Sequence, residues 1–151
     1  SRTITKTLSG ETQMKRLTVA LFVFVAISMA GTSAVVAADR PADRVVAMYF
    51  HRTERCPTCK KMGSYTEEAM KKAFAKQMEA GTVEFHYVDF QDKKNAAVAK
   101  AYKITGPALI VAKVKSNKVK EYKNLKDIWT KVRKKEDFTA YVVKNVETQL
   151  K

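Results

Sequence analysis

Cys56 and Cys59 are the only two thiols in this 151-residue chain, three positions apart in Arg55-Cys56-Pro57-Thr58-Cys59-Lys60. The reactive form of a cysteine is its thiolate, which an unperturbed side chain reaches near pH ~8.5. At this spacing one thiolate can attack a partner's disulfide and the other can then resolve the mixed disulfide. Arg55, Lys60 and Lys61 supply positive potential that favours the thiolate. Two other chemistries use the same atoms. The pair could form a static, inert disulfide. Alternatively, Cys56, Cys59 and His51 could offer two soft sulfurs and an imidazole to copper(I) or zinc. A structural zinc site takes four protein ligands, and the remaining histidine, His86, sits between Phe85 and Tyr87 on another segment, where a structural or surface role is expected.

Which chemistry applies depends on the elements that hold the pair. Val45 to His51 is apolar, β-branched and aromatic, and reads as a buried strand. His51 is expected to close that strand and bond locally. Arg52 to Arg55 forms a loop, and from Pro57 to about Ala80 apolar residues recur at helical spacing, from Cys59 and Met62 to Phe74 and Met78. Gly63 interrupts that pattern, and Ser64 with Glu67 has the form of a capping box, so a kink or restart is expected there. Gly81 should end the helix. Cys56 would then stand at the helix N-terminus, where free N–H groups favour negative charge. Pro57 suits the first turn, since its missing N–H has no partner to lose. Cys59, one turn further in, would be the more buried, resolving thiol.

Val83 to Phe90 reads as a second strand, and Asp92 and Asn95 can cap a short helix that Ile104-Thr105-Gly106-Pro107 breaks. Ala108 to Val114 and Lys118 to about Tyr122 form an antiparallel pair across a Ser116-Asn117 turn. The rest is helical from Asp127, with Ile128, Trp129 and Val132 on one face and a break expected near Glu136-Asp137. Trp129 and the methionines read as core filler. The order is strand, helix, strand, helix, strand, strand, helix. This is an α/β chain with a central four-stranded mixed sheet flanked by helices.

Tyr49-Phe50-His51 through Cys56-Pro57-Thr58-Cys59-Lys60, with Gly106-Pro107 before the third strand, resembles exported thioredoxin-like proteins, over about Val45 to Lys151. The resemblance implies a thioredoxin-like fold and thiol–disulfide exchange with a protein partner, with Cys56 attacking and Cys59 resolving. It also implies a cis Pro107 beside the disulfide, which frees the Gly106 carbonyl to pair with an extended substrate. Gly106, Pro107, Pro57 and Thr58 would form the substrate-facing surface, and Arg55 and Lys60 would stabilise the thiolate. Three features depart from ordinary thioredoxin. Pro-Thr separates the cysteines, Arg55 replaces the preceding tryptophan, and Ala47, Met48 and Tyr49 leave no buried acid on the first strand, a role that Glu54 or His51 would have to fill. A stabilised thiolate favours the reduced protein and hence oxidant or isomerase behaviour. Many exported members of such families instead reduce a dedicated partner, fed by a membrane-bound electron donor. Both directions stay open. A metal-binding or delivery module using Cys56, Cys59 and His51 is the alternative, and a non-catalytic partner-binding domain is a third. Nothing indicates an organic cofactor, and a monomer is expected.

Met14, Lys15 and Arg16 open a short basic segment, followed by fifteen uncharged residues, Leu17 to Gly31, and a small-residue end before Asp39. That pattern is a secretory signal peptide over 14–38, with a periplasmic or secreted location expected and an uncleaved membrane anchor as the alternative. An apolar run of this length falls short of the roughly 20 residues that span a bilayer. No cysteine stands near the cleavage site, which excludes a lipoprotein. Residues 1–13 read as an extension before the true start, and 39–44 as a linker. In an oxidising compartment the cysteine pair would form a disulfide or cycle with one. The whole chain carries a formal charge of +14, and residues 39–151 keep 25 basic and 14 acidic groups, about +11. Such a charge steers acidic partners, but the lysines are scattered without interleaved aromatics, so no nucleic-acid groove is expected.

Overall fold

The structure, a computed structural model, describes residues 40–151. The leader expected over 14–38 and the extension before it lie outside the described residues. Four strands form one sheet: β1 (Arg44–His51), β2 (Val83–Asp89), β3 (Ala108–Lys115) and β4 (Lys118–Asn124). Their spatial order is β2-β1-β3-β4, with β1 and β2 parallel and the other two pairings antiparallel. Helices α1 (Pro57–Ala73) and α2 (Ala75–Glu79) connect the parallel strands. A 3-10 turn at Lys93–Asn95 and α3 (Ala96–Ala101) lead to β3, and α4 (Ile128–Lys131) and α5 (Lys135–Leu150) close the chain. This mixed sheet flanked by helices is a thioredoxin-like arrangement.

The strand period of two sorts β1 between two apolar layers. Val45, Ala47 and Tyr49 face a core built from Met62, Met70 and Phe74 of the first helical segment and Phe138, Val142 and Val146 of α5. Met48 and Phe50 face the opposite side, where Val98, Tyr102 and Ile104 cover Ile110 and Ala112. Because both faces of β1 are covered, it reads as a near-continuous apolar run.

Several boundaries differ from the sequence reading. α1 runs unbroken through Gly63, and no helix restarts at Ser64. The break falls instead at Phe74 (φ −125°, ψ 24°), where leaving the helix lets the ring bury itself at 3% exposure. Gly81 does end the segment, in the left-handed region at φ 72°. The later break spans Val132 to Lys134, earlier than expected, because Val132 is still needed in the core beneath α4. Trp129 is not core filler: it is 45% exposed, since Ile128 takes the inward position. The Ser116-Asn117 turn has both residues at positive φ, as a tight two-residue hairpin requires. The expected linker is pinned to that turn, with the Asn117 N–H donating to the Ala42 carbonyl at 2.9 Å and the Ser116 N–H to Asp43 at 2.9 Å.

Candidate functional site at the head of helix α1

β1 ends at His51, and five residues later Cys56 caps α1 from extended backbone (φ −64°, ψ 157°). Its sulfur accepts the Cys59 N–H at 3.1 Å, one of the donors that a helix N-terminus leaves without a partner. Pro57 occupies the first turn at no cost in hydrogen bonding, and the Lys60 N–H reaches the Cys56 carbonyl at 2.9 Å to begin the helix. The two sulfurs stand at disulfide distance, with their Cα atoms 5.0 Å apart. Cys56 is exposed and Cys59 is buried at 7%. Cys56 is therefore the cysteine that solvent reaches, with its sulfur on a backbone donor, and Cys59 is the covered one.

Beneath the pair stands Tyr49, fully buried, whose hydroxyl donates to the Cys59 carbonyl at 2.8 Å. Burial pushes its phenol up to about 12, opposed by the nearby Arg55 guanidinium. Tyr49 therefore stays protonated at neutral pH and serves as a donor that ties β1 to the first turn of α1. Its ring meets Tyr87 edge-on at 6.1 Å, and the Tyr87 hydroxyl donates to Glu67 at 3.0 Å. The Arg55 guanidinium lies over the Tyr87 ring, 5.0 Å from its centroid. Gly63 makes this assembly possible. A Cβ there would stand 2.7 Å from Tyr87 Cε1, 2.8 Å from an Arg55 nitrogen and 3.0 Å from Tyr49 Cε1.

The expected site residues fall into groups. Pro57, Thr58 and Lys60 are exposed at the head of α1 with the cysteines. Arg55 is folded back onto the helix at Gly63 and Tyr87, with its Nε buried and without a hydrogen-bond partner. Gly106 and Pro107 precede β3, whose Ala108 pairs with Phe50, so they lie at the end of the sheet where β1 hands the chain to the cysteine loop. They line a cavity of about 280 Å³ together with Ile104, Leu125, Ile128 and Trp129, and neither cysteine lines it. All described peptide bonds are trans, so Pro107 is not the cis proline that the resemblance implies. Trans is the ordinary preference of an X–Pro bond by roughly 0.5–1 kcal/mol.

His51 is not joined to the cysteines as a metal ligand. Its Nδ1 donates to the Arg52 carbonyl at 2.9 Å, its ring lies 6.0 Å from that of Tyr87, and no three His, Cys, Asp or Glu side chains among the described residues are grouped to hold a metal. Glu54 is exposed. His86 is exposed on β2 and bonds Glu84 at 2.7 Å, a surface role. Tyr49, Gly63 and Tyr87 were not legible as site residues, although Tyr49 shares its inward alternation with Val45 and Ala47 and so had to face the helix that carries the cysteines.

No protein-family model matches the chain, and a search of the curated proteins finds no match.

Proposed function

We propose that this chain is an exported thiol–disulfide oxidoreductase of the thioredoxin-like family, exchanging disulfides with a protein partner through Cys56 and Cys59. The observation that carries the reading is the asymmetry of the pair: an exposed cysteine at the cap of a 17-residue helix, its sulfur accepting a backbone N–H, with its partner buried one turn in. In the reduced protein the Cys56 thiolate attacks one sulfur of a partner disulfide and expels the other as a thiolate. The Cys59 thiolate then attacks Cys56 Sγ, reforms the Cys56–Cys59 bond and expels the partner's second sulfur. Two electrons pass from the dithiol to the partner, and the reverse sequence oxidises a partner dithiol. Helix N–H groups and the dipole stabilise the Cys56 thiolate at each stage. Lys60 adds positive charge one turn away. Arg55 is parked on Tyr87 and would contribute field more than contact.

Variants at the two cysteines test this. Cys59→Ser should accumulate a mixed disulfide on Cys56, visible by mass spectrometry as an adduct that a reductant removes. Cys56→Ser should form no adduct and exchange nothing. Adducts on Cys59 in the Cys56→Ser variant at an equal rate would remove the assigned order of attack.

A further inference from the structure

The cavity beside Pro107 has a chemistry that disulfide exchange alone does not require. Ile104, Pro107 and Ile128 give it apolar walls, and Trp129 stands at its lip with 45% of its surface exposed. Lys103 and Lys126 also line it, and no Asp or Glu does. Neither lysine belongs to any ion pair among the described residues, a state they share with most of the described lysines. Asp127, the acid next to Lys126 in sequence, does not line the cavity. Lys103 occupies a position that local conformation does not favour for lysine. It follows α3 with φ 54°, where the Lys103 N–H returns to Lys100 and the Ile104 N–H to Ala99. This is the helix-ending position where glycine fits without Cβ strain. Thr105 and Gly106 also line the cavity, and their N–H groups make no backbone hydrogen bond among the described residues.

We infer that this groove is a docking site for an extended acidic peptide segment, with an apolar side chain seated against Trp129 and flanking carboxylates on Lys103 and Lys126. Free backbone donors suit an extended chain, an exposed indole suits a buried anchor, and two unpaired cations with no opposing acid select negative charge. The inference rests on the preceding reading, in that the segment would belong to the exchange partner and the groove would choose it.

The chain contains one tryptophan, so Trp129 emission reports occupancy without a label. The experiment uses the full chain with its disulfide intact and cysteine-free decapeptides: one leucine flanked by glutamates, and a matched peptide flanked by lysines. The acidic peptide should shift the emission saturably, more weakly as salt is added, and the basic one should not. The Lys103→Glu/Lys126→Glu variant should bind the acidic peptide about tenfold more weakly. Lys103→Gly should raise the midpoint of thermal unfolding while weakening binding severalfold, which separates lost affinity from lost folding. Equal binding of both peptides, no saturable shift, or unchanged affinity in Lys103→Gly would overturn the inference. Because the peptides carry no thiol, the readout does not depend on exchange. A chain that binds them but forms no mixed disulfide would overturn the proposed function and leave the groove assignment in place.

Discussion

Around the cysteines, chemistry is decided by which atoms each side chain presents to its neighbours. Cys56 Sγ accepts a helix N–H and faces solvent, whereas Cys59 is covered and its carbonyl takes the Tyr49 hydroxyl. Tyr49 fills the inward position on β1 nearest the pair, where the sequence offers no acid, and it cannot act as a base near neutrality because burial raises its pKa to about 12. The raised pKa has a stability consequence of definite sign. The native phenol holds its proton over a range in which the unfolded one has lost it, so Tyr49 costs no stability below pH ~10. Native stability then falls as pH rises toward about 12, by roughly 3 kcal/mol in all. Tyr49→Phe should flatten this decline relative to the parent in denaturant titrations at a series of alkaline pH values. At pH 7 the same variant should lose about 1 kcal/mol, the net worth of one hydrogen bond. Equal alkaline slopes in the two proteins would show that Tyr49 is not the group responsible. The two cysteines were legible from residue type and spacing. Tyr49 was not, because an aromatic in a buried strand looks the same whether or not its hydroxyl has a task.

The helix that carries the site packs closely because of an absence. Gly63 looks like a break in sequence because glycine lowers helix propensity, yet α1 continues through it and uses the missing side chain to seat Tyr49, Tyr87 and Arg55. Gly63→Ala therefore sets two effects against each other. Helix propensity favours alanine by about 1 kcal/mol, and overpacking against the Tyr49 ring, held at 0% exposure with its Cε1 3.0 Å from the added Cβ, costs about 1–3 kcal/mol. We expect a net loss of about 1 kcal/mol, read from the midpoint of denaturant unfolding. Tyr87→Ala in the same background should recover part of it, since Tyr87 Cε1 is the nearest obstruction. A Gly63→Ala protein more stable than the parent would contradict the close approach. The break at Phe74 gives a companion expectation: Phe74→Ala should cost about 3–5 kcal/mol, as for a fully buried aromatic. Strand order and the hairpin were legible because period two and the turn residues act locally. The helix breaks were displaced by a few residues because Phe74 and Val132 are held by tertiary packing, which no local signal records.

At the scale of the whole molecule, a sheet whose strand β1 is covered on both faces brings one loop and one groove to the same end of its central strands, the loop with two thiols and the groove with Trp129 and two cations. The fold was legible from element order alone, since a parallel pair joined by a helix and then an antiparallel hairpin leaves few ways to build one sheet. Pro107 was legible as a loop residue, but the isomer of its peptide bond was not, because the small preference between isomers is set by tertiary surroundings. Exposed Trp129 was also missed, since adjacent Ile128 and Trp129 compete for one inward position and sequence does not say which wins. The central claim is that Cys56 and Cys59 form a working redox couple, and equilibrium redox titration tests it most directly. The chain, stripped of metal by chelator, would be held at a series of glutathione ratios, its free thiols trapped by alkylation and counted by mass. A single reversible transition in which both cysteines gain and lose label together is the predicted result, and its midpoint would give the direction of electron flow. Cysteines that stay fully oxidised or fully reduced across the whole range would contradict the claim.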